Sequence, residues 1–359
     1  MSRTSPARPA LLVTADTVLT GGVARLAAAA GVRLDVVADP GEALACWSAS
    51  AVVLVGADQV HHLARRSPPR HPHLYVVASS PAPEAVFRPA LQVGAVSVLE
   101  LPDAGPWLLD ALAELSEGAT ELGRAVAVVP ASGGAGASVF AAALATLASA
   151  GSDVLLLDID RLGPGQRLLL GHDEDGGITW DDLAATDGRL GARALRDAVP
   201  RRHRLGVLGW APGAPGRVPP ERVAQAVAAG SRGHAWVVLD VPRNWDEDVR
   251  SVLAGCHHTV LVTRAGIGSL AAAARFVGGL AADVSSAGLV VRSHRDAPPA
   301  REVARALGLD LWAEMADDRR LEEHLALGLG PAHAVRGPLA RAAAAVLSRC
   351  AAGGGRAAA

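Results

Sequence analysis

Residues 125–138, Ala125-Val-Ala-Val-Val-Pro-Ala-Ser-Gly-Gly-Ala-Gly-Ala-Ser138, have the make-up of a backbone cradle for an anion. Val126 to Val129 reads as a buried strand, Gly133, Gly134 and Gly136 follow within four positions, and a long Ala/Leu/Val run opens at Val139. Strand, glycine-rich turn and helix aim backbone N–H groups at a phosphate, at the positive end of the helix. Against the loop pattern G-x-x-x-x-G-K-[ST], residues 131–138 keep Gly136 and the Ser138 hydroxyl, but Ala131 replaces the first glycine and Ala137 the lysine. The cradle is kept and its main charge is lost. Two later apolar runs end in acids. Val154-Leu-Leu-Leu-Asp-Ile-Asp160 supplies Asp158 and Asp160. Trp236-Val-Val-Leu-Asp240 has the form of a strand whose terminal carboxylate holds Mg²⁺ or its water beside a bound phosphate. Each acid alone is weak evidence, since Asp after a strand is often a helix cap. Their order behind a phosphate loop is more specific and predicts a P-loop NTPase fold, with ATP and Mg²⁺ as its cofactors, weakly held or vestigial.

The elements that must position these groups follow an α/β rhythm. In the second half, strands are read at 125–130, 153–159, 204–209, 235–241, 258–263, 288–292 and 309–314, separated mostly by Ala-rich helical stretches. In the first half, short apolar runs at 11–14, 34–38, 52–55, 74–78 and 97–101 alternate with helical stretches near 19–30, 41–48, 83–93 and 106–117. Almost continuous apolar strands indicate a parallel sheet covered on both faces. The expected organisation is a disordered start over 1–9, a first domain over 10–117, a linker over 118–124, a second domain over 125–352 and a disordered tail over 353–359.

Composition limits the chemistry. All 34 basic residues that are not histidine are arginines, so no lysine can act as Schiff base, general base or phosphate anchor. A formal charge of −2 gives no global pull toward nucleic acid or acidic membrane. Cys46, Cys256 and Cys350 are odd in number and far apart, which argues against a disulfide framework and fits a cytoplasmic protein. No apolar run approaches the ~18 residues of a membrane span. Four histidines between His61 and His73 lack the helical i,i+4 pairing of a metal site, and a solvated loop is expected there.

Gly94-Ala-Val-Ser-Val-Leu-Glu-Leu-Pro102, with the amphipathic stretch after it, resembles the last strand and helix of a response-regulator receiver domain, a flavodoxin-like fold. The receiver's working positions are degenerate. The acidic pair is reduced to Asp16, the phosphoacceptor place falls on Gly56 with Asp58 two residues late, the hydroxyl position has Ser79, and the lysine is Leu101. Such a domain is expected to dock or dimerise rather than to take part in an aspartate relay.

The order Gly133-Gly-Ala-Gly-Ala-Ser138, Leu155–Asp160, Trp236–Arg243, Thr259–Arg264 resembles the MinD/ParA branch of deviant-Walker ATPases. Joined to a degenerate receiver, it is similar to CpaE/TadZ proteins, and most of all to actinobacterial septum-site-determining or CpaE-like proteins of the Flp/Tad secretion neighbourhood. The resemblance implies ATP-linked homodimers that mark a pole or septum and recruit division or pilus machinery. By position it implies that Gly133, Gly134, Gly136 and Ala137 wrap the phosphates, that Ser138 and Asp240 serve Mg²⁺, and that Asp158 and Asp160 lie by the attacking water and the metal. The signature lysine that reaches across a dimer falls on Ser132, and the adenine-reading pair falls on Arg292-Ser293. A C-terminal amphipathic membrane helix is not evident in Leu339–Ala352, so recruitment to a membrane, pole or septum would pass through partners.

Losing a charge-assisted bond to phosphate weakens ATP by about 10–100-fold, or roughly 1.5–3 kcal/mol, and hurts turnover more than binding. Arg161, Arg243 and Arg264 could compensate. Arg243 stands at the ligand end of its strand and is expected to point toward the phosphates, with a surface arginine as the alternative. The expected function is a positioning scaffold with weak or absent hydrolysis. The alternatives are an active ATP-hydrolysing dimerisation switch and a ParA-like nucleoid binder, the last disfavoured because the arginines are scattered among acids.

Overall fold

The computed structural model describes residues 8–116, 122–173, 175–186, 190–211, 213, 217–244, 246–280, 284, 286–334 and 336–352. The expectations for 1–7, 117–121 and 353–359 lie outside the described residues. The chain divides into two compact units, Met1–Glu121 and Leu122–Ala359.

The first unit runs β1 (Ala10–Val13), α1 (Thr17–Ala29), β2 (Leu34–Val37), α2 (Pro40–Cys46), β3 (Val52–Gly56), α3 (Val60–Ala64), β4 (Leu74–Ser79), α4 (Phe87–Val93), β5 (Ser97–Leu101) and α5 (Gly105–Ser116). Its five strands form one parallel sheet in the order β2-β1-β3-β4-β5. The strands read as unbroken apolar runs because both faces are covered. Leu11, Val13, Val53, Val55 and Val76 pack with Ala43, Leu63 and Ala90. Leu12, Leu54, Tyr75 and Val77 pack on the other face with Val23, Leu108 and Leu112. Arg8 and Pro9, inside the stretch read as disordered, are tied down by Arg8 Nε donating to the Ala49 carbonyl (3.0 Å) and Ala51 N donating to that of Pro9 (2.9 Å). The histidine-rich segment read as a solvated loop begins as α3, and its far end packs on the core. Trp47 Nε1 donates to the Pro69 carbonyl (2.9 Å), and the His71 ring lies edge-on to Trp47.

The second unit runs β6 (Arg124–Pro130), α6 (Ala137–Ser149), β7 (Val154–Asp158), α7 (Gln166–Leu169), α8 (Trp180–Ala185), α9 (Ala192–Ala198), β8 (Arg201–Arg202), β9 (Leu205–Leu208), α10 (Pro220–Gly233), β10 (Trp236–Asp240), α11 (Glu247–Ala254), β11 (His258–Arg264), α12 (Ile267–Leu280), β12 (Ala287–Ser293), α13 (Ala300–Leu307), β13 (Asp310–Ala316), α14 (Leu321–Ala326) and α15 (Pro338–Ala352). The sheet order is β13-β12-β11-β6-β10-β7-β9-β8, parallel except for the β8–β9 pair. One face carries α10 to α13 over Val129, Leu155, Leu157, Val237 and Leu239. The other carries α6 and α15 over Val126, Val128, Leu156, Val238 and Val260. Every residue of α6 from Phe140 to Ala145 is fully buried, and small alanines let α15 and the sheet close on it together. The segment read as linker ends earlier than expected. Gly123 N donates to the Ser231 carbonyl (2.7 Å) and Arg124 N to that of Ala235 (2.9 Å), and a Cβ on Gly123 would overlap the His234 carbonyl oxygen.

Candidate functional site

β6 ends in the middle of the sheet, and the glycine loop turns from it directly into α6. Gly134 (φ +63°) and Gly136 (φ +88°) take left-handed conformations that L side chains rarely adopt, and Gly136 is the residue at which α6 starts. Gly133 and Gly134 are exposed, so the loop presents backbone rather than side chain. Ala137, at the lysine position, turns its methyl into the core. Ser132 is 1% exposed. Its hydroxyl accepts from Thr263 Oγ1 (3.2 Å) and from Arg264 N (3.4 Å), so it is tied to β11 of its own sheet.

Two guanidinium groups stand over this loop. A Cβ built on Gly133 would lie 3.3 Å from Arg243 Nη1, and one built on Gly136 would lie 3.5 Å from Arg292 Nη1. Arg243 follows the carboxyl end of β10, and Arg292 lies in the last turn of pairing between β12 and β11. Arg292 Nε also donates to Asp317 Oδ1 (2.5 Å), which fixes its direction. Charge has therefore returned to the loop from two other strands.

The acids meet because of strand register. β10 lies between β6 and β7, with Asp240 level with Asp158 on one side and Val128 on the other. Both carboxylates are buried, at 2% and 1% exposed. The chain after Asp160 reverses tightly, and Gln166 returns between them. Gln166 N donates to Asp158 Oδ2 (2.8 Å), while Gln166 Nε2 donates to Asp240 Oδ2 (2.7 Å) and to the Ser138 carbonyl (3.0 Å). The Ser138 hydroxyl hydrogen-bonds to Asp240. Trp180 Nε1 caps the cluster by donating to the Asp158 carbonyl (2.6 Å). Burial, then the neighbouring Asp240 charge, pushes the Asp158 carboxyl up to about 7. Burial raises Asp240 to about 6, although the Gln166 and Ser138 hydrogen bonds pull the other way.

Asp160 lies apart from this cluster, its Oδ1 accepting from Leu162 N (3.2 Å). It lines a cleft of about 570 Å³ with Trp180, Trp210, Arg217 and Arg243. Ser138, Asp158 and Asp240 are thus brought together, Arg243 and Arg292 flank the loop, and Asp160 acts on Asp158 through its charge and its backbone N–H. Ser293, beside Arg292, donates to Glu314 Oε1 (2.7 Å).

The phosphate half of a nucleotide fits these residues: an open glycine loop at a helix start, with two guanidinium groups over it. The cation half does not fit them as they stand. Asp240 Oδ2 already accepts an amide N–H, and the same amide also holds the Ser138 carbonyl. Gln166 was missed in the sequence because no motif marks a glutamine eight positions after Asp158. The only hint is Gly163-Pro164-Gly165, a turn that can bring the chain back.

In the first unit, Asp58 fills the place of the phosphoacceptor. Thr14 Oγ1 donates to its Oδ1 (2.7 Å), Ala15 N to its Oδ2 (2.8 Å) and Gln59 Nε2 to the same oxygen (3.0 Å). Asp16 caps α1, accepting from Val18 N and Leu19 N. Among the described residues no group of three His, Cys, Asp or Glu could hold a metal ion, which covers the described histidines between His61 and His73.

Residues 13–123 match the family described as Rv3660c-like, CheY-like N-terminal domain. Two uncharacterized proteins of Mycobacterium tuberculosis, Rv3660c (strain ATCC 25618 / H37Rv) and MT3760 (strain CDC 1551 / Oshkosh), are each 37% identical over 287 residues, covering 79% of this chain and 81% of theirs. The chain belongs to the Rv3660c-like family. The family's first domain is CheY-like, in keeping with the expected receiver-like fold. Solved structures resemble the remainder. The septum site-determining protein MinD of Pyrococcus horikoshii OT3, complexed with Mg-ADP, superposes with a TM-score of 0.54 at 21% identity, covering 65% of this chain and 98% of that one. The MinC:MinD cell division complex of Aquifex aeolicus gives 0.55 at 17%, covering 64% and 96%. A ParA family ATPase of Chlorobium tepidum TLS gives 0.54 at 17%, covering 63% and 98%. The second unit therefore has the MinD/ParA-type ATPase fold.

Proposed function

We propose that the protein is a CpaE-like, septum-site-determining type of positioning scaffold that binds nucleotide and hydrolyses it weakly or not at all. The observation that carries this reading is the pair Arg243 and Arg292 over an intact glycine loop whose two lysine positions are the buried Ser132 and Ala137. Guanidinium groups hold phosphate well. Turnover needs positive charge fixed where negative charge develops, and here it comes from an exposed Arg243 and from an Arg292 shared with Asp317. Binding survives that substitution better than catalysis.

A nucleotide-occupied fold of this kind suits a homodimer in the cytoplasm that recruits proteins of the division or Flp/Tad machinery. Two fold neighbours support this: one is a septum site-determining protein and another is a cell division protein in complex with its partner. The CheY-like domain, with glycine at position 56 and leucine at 101, is left to dock rather than to receive phosphate. No helix among the described residues is long and apolar enough to cross a membrane, so recruitment to a membrane, pole or septum would rest on partners.

The test is calorimetry with ATP followed by a phosphate-release assay. The expected result is saturable binding, with release no faster than that of an Asp240→Ala variant. Release well above background and abolished by Asp240→Ala would instead make the protein an ATP-driven switch.

A further inference from the structure

We infer that Gln166 stands in for the divalent cation of this phosphate loop, so that the site takes the phosphate chain of a nucleotide as the free, unchelated anion. The inference deepens the nucleotide reading above and rests on it.

Gln166 is fully buried at the point where the loop helix and both strand-end acids meet. Its backbone and side chain make three donations: to Asp158 Oδ2, to Asp240 Oδ2 and to the carbonyl of Ser138, the loop's own hydroxyl residue. A primary amide has two N–H bonds, and both are used. The reversed amide would set Oε1 against a carboxylate oxygen and a carbonyl oxygen, two acceptors, so the chemistry of the surroundings fixes its direction. The cost of that direction is visible: Oε1 is buried without a hydrogen-bond partner. A cation on the loop side of Asp240 and an N–H donor there compete for the same lone pairs. To admit the cation, the amide would have to leave a closed pocket and strand its own donors.

The positive charge that a phosphate chain requires is supplied from elsewhere. Arg243 faces Gly133 and Arg292 faces Gly136, on two sides of the loop. Guanidinium groups bind phosphate oxygens through paired N–H bonds and need no metal to do so. An amide that neutralises nothing but satisfies the acid, together with two arginines over the loop, forms a coherent set for an anion without its metal. Such a ligand is a nucleoside diphosphate or triphosphate with its phosphoanhydride oxygens unchelated.

The experiment is calorimetry of the full chain with ATP, once in excess MgCl₂ and once in EDTA, with Mn²⁺ paramagnetic resonance in parallel. Wild-type protein is expected to bind ATP at least about tenfold more tightly in EDTA than in excess MgCl₂, which chelates the ligand, and to leave the Mn²⁺–ATP signal that of the free complex. Gln166→Ala, checked by circular dichroism, is expected to bind ATP at least as tightly in MgCl₂ as in EDTA and to broaden the Mn²⁺ signal. Wild-type affinity that is no weaker in MgCl₂ than in EDTA overturns the inference while leaving the nucleotide reading in place, and it needs no variant to fold. A folded Gln166→Ala that keeps the wild-type preference for EDTA also overturns it. No binding in either buffer overturns both readings.

Discussion

At the scale of residues, the site is a redistribution of charge. Arg243 reaches the glycine loop from β10 and Arg292 from β12, each within van der Waals reach of a glycine that could not carry a side chain there without meeting it. Arg243→Ala is expected to weaken ATP by about tenfold, the loss of one partly screened charge-assisted bond. Arg292→Ala is expected to cost less, because its guanidinium is already shared with Asp317. Calorimetry reads both, and unchanged affinity in Arg243→Ala would remove that arginine from the site. Arg243 could be found from the sequence because the ligand end of a parallel strand is a place with a physical meaning. Gln166 could not. It belongs to no motif, its helix is only four residues long, and its role depends on a turn whose path no periodicity encodes. The inward turn of Ser132 was equally hidden, since its partners lie 131 and 132 positions away.

At the scale of elements, what was legible is what repeats. Strands covered on both faces announce themselves as apolar runs, and the expected α/β class with a mainly parallel sheet is the class observed. The five-residue α3, the four-residue α7 and the two-residue β8 are each shorter than a hydrophobic period can mark. The end of β3 shows why residue types alone mislead. Gly56 reads as a lost phosphoacceptor, yet Asp58 folds back so that its carboxylate fills that space, satisfied by Thr14, Ala15 and Gln59. A Cβ at position 56 would overlap Asp58 Oδ1 and approach Thr14 Cβ to 2.8 Å. Gly56→Asp is therefore expected to destabilise the first unit by about 1–3 kcal/mol. It should not become labelled by acetyl phosphate, because Leu101 offers no cation to the phosphoryl group. Thermal unfolding and a labelling assay check the two halves, and labelling of the variant would restore the relay reading.

At the scale of the whole molecule, two buried acids set a pH dependence. Asp158 is raised to about 7 and Asp240 to about 6, chiefly by burial. Against unfolded values near 3.9, such shifts mean that the unfolded chain releases its protons first as pH rises. The resulting burden builds from about pH 4, is full above about pH 7 for Asp158, and lifts as the solution is acidified. His234 acts in the opposite sense: burial lowers it from 6.5 to about 4, so it adds no burden at high pH and a growing one as pH falls through that window. Asp158→Asn isolates the carboxylate's share. It is expected to raise Tm at pH 8 by several degrees, on the order of 1–2 kcal/mol, and by clearly less at pH 5. Paired thermal scans read the difference, and a variant less stable than wild type at pH 8 would mean that the ionised acid is compensated in the fold. Ser132 has a consequence at this same scale. With its hydroxyl tied to Thr263 and Arg264, this buried side chain offers nothing to a neighbouring molecule's pocket. On the scaffold reading, nucleotide affinity is therefore expected not to change with protein concentration, which calorimetry at two concentrations reads.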